Sequence, residues 1–400
     1  EVSEKLDIIP AVILVIRHMR PQYSCKSCEG VEDDGPTVRI TTVPPQIIPK
    51  GIACGGLIAH ALTAKFEDAL PFYRQEKQFT RLGVELNRAT MCNWAMKTAA
   101  ACQPVLELLH DQIRSGPLIN IDETSVQVLK EPGRRAETKS YMWVCRGGPS
   151  GKPGIWYHYA PSRSAAVAKT LLQDYTGLVQ SDGYKGYDFL DKQAGVLHAG
   201  CLAHVRRKFD EAKKARGKNS KKTGSADVAL NYIRKIYRIE SEAKRKNLSP
   251  EALLAAREKQ AKPVLDDFFA WLSQKALQVV PNRLLGKPLH YALGPSDRLL
   301  VYLDHPEMTP DNNSAENAIR PGVVGRKNWL FAGTPQGAQA SADLYRLIET
   351  AKANDLEPYR YLRHLFEKLP FAHSQEDYQS LLPMHLQPED ISLGELVTGV

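Results

Sequence analysis

The hydrophobic positions of this chain change period several times, and each change marks a different kind of element. Near the start, Ala11 to Ile16 is an apolar, strand-like run followed by the basic stretch RHMRPQYSCKSCEG, which predicts a small β-rich knuckle within the first 45 residues. From Gly55 to about Arg114 the period becomes helical, in GGLIAHALTAKF and MCNWAMKTAAACQPVLELLHDQIR, and Gly116 with Pro117 closes that region. Three β-like runs follow, PLINIDETSVQVL, KSYMWVCRGG and GIWYHYAPS, separated by Gly, Pro and charged turns as in an antiparallel meander. A helical pattern from Ser164 to Asp174 leads to another apolar strand, GLVQSDG, and the chain is again helical from about Cys201. Three strands, a helix, a strand and a helix make an α/β unit.

Residues 205 to about 280 are almost wholly helix-compatible, with a loop at GKNSKKTG, and read as an insertion into that unit. The turn TPDNNS then supplies Asn and Ser caps for a short helix carrying AENAIR. Ser341 to Leu369 predicts a helical pair, and the last thirty residues are irregular, with five acids and no Lys or Arg.

Composition narrows the class. With 400 residues, 43% of them hydrophobic and 24% charged, the chain is long enough for several cores and is neither fibrous nor wholly disordered. The longest apolar run, around Ile8 to Ile16, is broken by Pro10 and falls well short of the ~20 residues of a membrane span. A first residue of Glu rather than Met, with no basic and apolar leader behind it, points to a chain that begins inside a longer product. Seven cysteines are an odd number, and Cys25 and Cys28 alone have a recognisable spacing, so a reducing cytoplasm is expected. The net charge of +8 has a place: between Cys201 and Lys246 there are 15 Lys or Arg against 5 Asp or Glu, which leaves the remainder of the chain at −2. That segment is either a solvated helical face or a surface for phosphates.

Candidate chemistry sits in the α/β unit. Asp122 lies on its first strand, and Asp182 ends the fourth, where Gly183 turns the chain. If those strands are neighbours, the two carboxylates meet at one edge of the sheet, and their repulsion calls for a divalent cation, Mg2+ or Mn2+. Glu316 would complete the site from a helix. Two ions about 4 Å apart on such ligands activate an attacking hydroxyl and stabilise the leaving oxygen of a phosphodiester. Glu123 is the rival of Asp122, and strand alternation turns it to the opposite face.

The stretches IDETSVQVL, SDGYKGY, HAGCLAHVRRKF and NNSAENAIRPGVVGRKNWLFAGT, in this order, resemble the transposases of the insertion-sequence-66 family, and EKLDIIPA, VIRHMRPQYSC and LPFYRQEKQF extend the likeness to the front of the chain. The resemblance implies a DDE transposase with Asp122, Asp182 and Glu316 as its acidic triad. Its fold class would be α/β, a ribonuclease-H-like mixed sheet with a large helical insertion, preceded by a small β region with a zinc knuckle and a helical, helix-turn-helix domain. The expected division is a partial zinc-knuckle-like region at 1–45, the helix-turn-helix domain at 46–115, the catalytic domain at 116–204 and 296–335, the basic helical insertion at 205–295, and a C-terminal helical region and tail at 336–400.

Several further residues gain candidate roles. Cys201 and His204 form a C-x-x-H pair similar to one in several DDE transposases with such insertions. Zinc on these two alone would lack ligands, so His204 is placed beside the DNA strand, with Arg206, Arg207 and Lys208 as phosphate contacts. Arg320, one turn after Glu316, together with Arg326, Lys327 and Trp329, forms a basic and aromatic patch for DNA, against which stands a core position for Trp329. In FTRLGVELNRATMCNWAMKTA, Gly83 is the turn of a helix-turn-helix, with Arg88, Thr90 and Asn93 facing a groove. Cys25 and Cys28 are half a Zn2+ site, and the resemblance implies a second cysteine pair ahead of this region. Double-stranded DNA at element ends and target, a homodimer or larger synaptic assembly, small accessory proteins of the same element, and no membrane complete the expectations, with the protein in a bacterial cytoplasm on the nucleoid. A structure-specific nuclease or resolvase, or a non-catalytic DNA-binding relic, is the alternative.

Overall fold

The computed structural model describes residues 3–7, 11–24, 38–215, 224–294 and 296–392. At the front, β1 (Gln22–Ser24) pairs antiparallel with β2 (Val38–Ile40). The strand expected over Ala11 to Ile16 is absent: residues 11–21 hold no regular structure, and Val12, Leu14, Val15 and Ile16 are exposed. Apolar, β-favouring side chains do not make a strand without a partner for the backbone hydrogen bonds. Cys25 and Cys28 lie outside the described residues.

Four helices follow, α1 (Gly55–Phe66), α2 (Phe72–Arg81), α3 (Arg88–Ala101) and α4 (Gln103–Arg114). Between α2 and α3 the chain turns at Gly83, whose φ of 79° suits a residue without Cβ, and the Asn87 side chain caps α3 by accepting from the Ala89 N–H at 2.8 Å.

The sheet comprises β3 (Leu118–Gln127), β4 (Lys139–Gly147), β5 (Gly154–Ala160), β6 (Gly177–Gln180) and β7 (Val196–Ala199). Their order is β5-β4-β3-β6-β7: the first three form the expected antiparallel meander, and β6 and β7 add in parallel on the other side of β3. Helix α5 (Ala165–Leu171) makes the crossover from β5 to β6. The fifth strand, β7, was not expected, because four residues of GVLHAG are too few to display a period.

Alternation along β4 shows how the sheet divides its neighbours. Met142 and Val144 face one core, shared with α1 to α4 and the C-terminal helices, while Trp143 and Cys145 face another with α5 residues Ala168 and Leu171. A third core unites the inserted helices α6 (Leu202–Ala215), α7 (Ser225–Arg245), α9 (Lys262–Ala276), α10 (Gly286–Leu293) and α11 (Ser296–Leu300), through residues such as Phe209, Ile233, Phe268, Leu289 and Leu299, while α8 (Pro250–Ala256), between α7 and α9 in the chain, buries no residue. The chain then returns to the sheet in α12 (Asn313–Trp329), which is longer than the short helix expected, running through Pro321. Helices α13 (Pro335–Ala353), α14 (Pro358–Lys368) and α15 (Gln375–Ser380) complete the described chain. Among the described residues, no helix is long and apolar enough to cross a membrane.

One buried cation ties the insertion to the segment leading into α12. Arg257, in a wide turn between α8 and α9, donates to the carbonyls of Tyr302 at 2.6 Å, His305 at 2.9 Å and Met308 at 2.8 Å, and makes a two-pronged pair with Glu240 of α7 at 2.9 Å. Loss of such a group strands both a carboxylate and three carbonyls. Arg257→Ala is therefore expected to cost about 3–5 kcal/mol, as removal of one partner from a buried pair does. Denaturant melts should show the loss; an unchanged midpoint would mean that the clasp contributes nothing.

Candidate active site

The site begins with the parallel pairing of β3 and β6. Their register sets Asn120 opposite Gln180, and the Asn120 amide donates to Gln180 Oε1 at 2.8 Å within the buried interior. Two residues further on come Asp122, still within β3, where alternation keeps it on the face of Asn120, and Asp182, two residues past the end of β6. Asp122 Oδ1 accepts the Glu123 N–H at 2.8 Å, and Asp182 Oδ1 accepts the Tyr184 N–H at 2.9 Å. Gly183 is needed for a different reason from the turn expected of it: the Tyr291 ring of α10 packs so closely that a Cβ there would come within 2.5 Å of its hydroxyl oxygen, which accepts the Gly183 N–H at 3.0 Å.

Glu123 lies on the other face. It accepts from Tyr187 and pairs with Arg163, whose guanidinium also stands 4.0 Å from Asp182 Oδ2 and 3.8 Å over the Tyr184 ring. Sequence reasoning overlooked Arg163, a lone cation in a loop with no motif around it.

Glu316 reaches the site through hydrogen bonds that fasten the start of α12 to β3 and α6. The Asn312 amide donates to the Ile121 carbonyl at 2.8 Å, the Asn312 N–H points to Cys201 Sγ at 3.2 Å, and the Leu202 N–H meets the Pro310 carbonyl at 2.8 Å. Gln180, beneath Asp182, also holds the Gly200 and Thr309 carbonyls at 3.1 and 2.9 Å. Glu316 thereby sits in the first turn of α12, where a carboxylate is favoured by the helix dipole, with Arg207 at 3.3 Å and His204 Nδ1 at 3.5 Å.

The acids act on one another electrostatically, although among the described residues the three ligand-type side chains whose donor atoms all lie within 4.8 Å of one another are Cys201, His204 and Glu316. Burial, then the charge of Glu123, and further those of Asp182 and Glu316, push the Asp122 carboxyl up to about 7, against one opposing backbone N–H from Glu123. Burial lowers the His204 imidazole and so favours its neutral form. Asp122 and Asp182 offer hard oxygen donors, and the setting of Asp122 disfavours its bare negative charge, which fits a divalent cation of the magnesium type.

The remaining candidates are dispersed. Arg206 is exposed on α6 and Lys208 lies 4.4 Å from the centre of the Tyr291 ring. Arg320 and Lys327 are exposed, whereas Arg326 is half-buried and donates to Thr124 Oγ1 of β3 at 3.2 Å. Trp329 takes the packing position: the Lys65 ammonium lies 4.1 Å over its ring, and Phe66 meets it edge-on. Arg88 and Asn93 share the exposed face of α3, Thr90 is half-buried there, and Met91, Trp94 and Thr98 face the interior.

The family described as "Transposase IS66 family" matches residues 50–340, well over half of the chain. The chain belongs to this family of transposases. Two further matches agree, an IS66 C-terminal element over residues 347–384 and the "zinc-finger binding domain of transposase IS66" over residues 1–29. Among curated relatives from Sinorhizobium fredii, this IS66-family chain is 30% identical to "Uncharacterized protein y4jD" over 404 residues, covering 97% of the chain and 76% of the relative. It is 27% identical to "Uncharacterized protein y4qI", covering 97% and 72%. The family implies an enzyme that processes DNA with divalent metal ions and a front segment that binds zinc.

The raised Asp122 carboxyl fixes a sign. Its folded value exceeds the ordinary 3.8, so the folded state holds the proton more tightly and loses stability as pH rises from about 4 to 7. Asp122→Asn is expected to stabilise the metal-free chain by roughly 2–4 kcal/mol at pH 8, on the ~1.4 kcal/mol per pKa unit scale, and by little at pH 4. Melts of both chains in chelator at the two pH values check this; an equal effect at both would refute it.

Proposed function

We propose that the chain is a DDE transposase whose Asp122, Asp182 and Glu316 hold two Mg2+ or Mn2+ ions, hydrolyse a phosphodiester at each end of a mobile element and join the freed 3′-hydroxyl to target DNA. The observation that supports the reading is the parallel pairing of β3 with β6, which puts Asp122 on β3 and Asp182 two residues past the end of β6, with the start of α12 and its Glu316 fastened to β3 through Asn312. The strand order β5-β4-β3-β6-β7, antiparallel then parallel, supports a ribonuclease-H-like catalytic domain formed by 116–204 and 296–335 around the insertion at 205–295.

When bound, the ions supply Lewis-acid activation of the attacking oxygen and stabilisation of the leaving one. The chain's own groups do the rest. Asp122 and Asp182 fix the position of the charge, and Arg163 holds Glu123 away on the other face, so that it does not compete with Asp122. Arg207, more than half exposed, can exchange its pair with Glu316 for a phosphate, and Arg206 and Lys208 extend the same face of α6 towards DNA. Arg320 and Lys327 add exposed cations along α12, Arg326 steadies β3 as well as facing the strand, and the half-buried Trp329 holds the end of α12 in place.

In the region 46–115, α2, the Gly83 turn and α3 support a helix-turn-helix, with Arg88 and Asn93 free to enter a groove. Region 1–45 would bind Zn2+ through Cys25, Cys28 and further ligands, and in the region 336–400 helix α13 braces β5 through Arg346 and Thr350. Synapsis of two DNA ends calls for a homodimer or larger assembly, with small accessory proteins of the same element as further partners.

The test is cleavage of labelled element ends in Mg2+ or Mn2+, followed by strand transfer from a pre-cut end. Asp182→Ala and Glu316→Ala should each lose on the order of 10²–10³-fold or more, the loss that follows removal of one preorganised group. Undiminished cleavage by either variant sinks the triad. Cleavage without joining of the pre-cut end would reassign the protein as a nuclease.

A further inference from the structure

Around Glu316 the chain gathers a set of ligands that is not purely oxygen. Cys201, His204 and Glu316 each offer one donor atom, and these atoms all lie within 4.8 Å of one another. Cys201 and His204 come from the start of α6, and Glu316 from the start of α12, 112 residues after His204 in the chain. Two ligands from C-x-x-H are too few for zinc, and the fold supplies a third.

We propose that Cys201, His204 and Glu316 form a binding site for a borderline-soft divalent cation, Zn2+ or Co2+, distinct in ligand chemistry from the oxygen site of Asp122 and Asp182. Thiolate, imidazole and carboxylate are the three donor types that zinc takes at about 2.0–2.3 Å, and three protein ligands leave a fourth position open. Sulfur selects against Mg2+, which demands oxygen.

A second observation points to a ligand. His204 Nδ1 is buried and has no hydrogen-bond partner, although it stands 3.5 Å from Glu316 Oε1, too far for a good hydrogen bond. A buried ring nitrogen left in this way costs free energy unless something accepts its lone pair or its proton. Cys201 Sγ is already oriented, by the Asn312 N–H at 3.2 Å, so its direction is set before any ion arrives. On binding, the thiol proton leaves to solvent and the sulfur donates its electron pair to the ion.

The site shares Glu316 with the triad proposed above, but its existence does not rest on that reading. The test is a Co2+ titration of the full chain carrying Cys25→Ser and Cys28→Ser, which removes the front cysteine pair. A sulfur-to-cobalt charge-transfer band in the near ultraviolet, saturating at one equivalent, is expected. Cys201→Ser in that background should abolish the band, and His204→Gln and Glu316→Gln should each weaken binding by at least the ~10-fold that loss of a mere outer-shell partner costs. Adding Asp122→Asn and Asp182→Asn should leave the band intact, so failure of the oxygen site is told apart from failure of this one. A band that persists in Cys201→Ser, or undiminished affinity in Glu316→Gln, overturns the proposal. Should Cys201→Ser not fold, Glu316→Gln, which keeps the size of a partly buried side chain, decides the matter alone.

Discussion

Like charges held together in a half-buried cleft are the constraint on which the rest of this structure turns. Asp122 feels burial and the charges of Glu123, Asp182 and Glu316 at once, and none of these favours its ionised form. A cluster of this kind persists only where the surroundings over-determine it. Here β3 and β6 are locked in register by the Asn120–Gln180 hydrogen bond, Glu123 is drawn off to Arg163 and Tyr187, and Glu316 is given Arg207. The large cores on either side of the sheet supply the stability that the cleft lacks.

The inserted helices serve that arrangement as a brace. Glu316 follows Asp182 by 134 positions, and a flexible loop of that length would not hold it still. Instead the insertion has its own core, and its buried Arg257 grips the Tyr302, His305 and Met308 carbonyls immediately ahead of α12. Asn312 then passes this rigidity to the sheet through the Ile121 carbonyl. Helix α6 has two uses: Val205 and Phe209 face the insertion's core, while Arg206 and Arg207 face outwards.

Much of the sheet was legible because β3, β4 and β5 are β-favouring, apolar runs punctuated by Gly, Pro and charged turns. The α/β character followed from that pattern, whereas the mixed sheet was implied by the family resemblance, and Asp182, expected at the end of a strand, lies two residues past β6. What escaped had physical causes. A four-residue strand such as β7 has no measurable period, and the front apolar run lacked the partner that strand formation needs. Pro321 reads as a helix end, yet α12 continues, and the Tyr157 hydroxyl donates to the Ala318 carbonyl in the same turn. The reason for Gly183, the close approach of Tyr291, lies 108 residues away and is invisible locally.

The C-x-x-H pair shows the same limit from the other side. Spacing along a chain reveals ligands only when they are neighbours in sequence, so Cys201 and His204 looked like an incomplete pair. Folding places α6 and α12 start to start, because the Leu202 N–H binds the Pro310 carbonyl and Cys201 receives the Asn312 N–H. The two helix beginnings therefore present Cys201, His204 and Glu316 to one point. In the two proposals above Glu316 would serve two chemistries, the oxygen ligands Asp122 and Asp182 and the sulfur and nitrogen of Cys201 and His204. Any group that draws it towards one set withdraws it from the other, and Arg207, which touches the same carboxylate, bears on both.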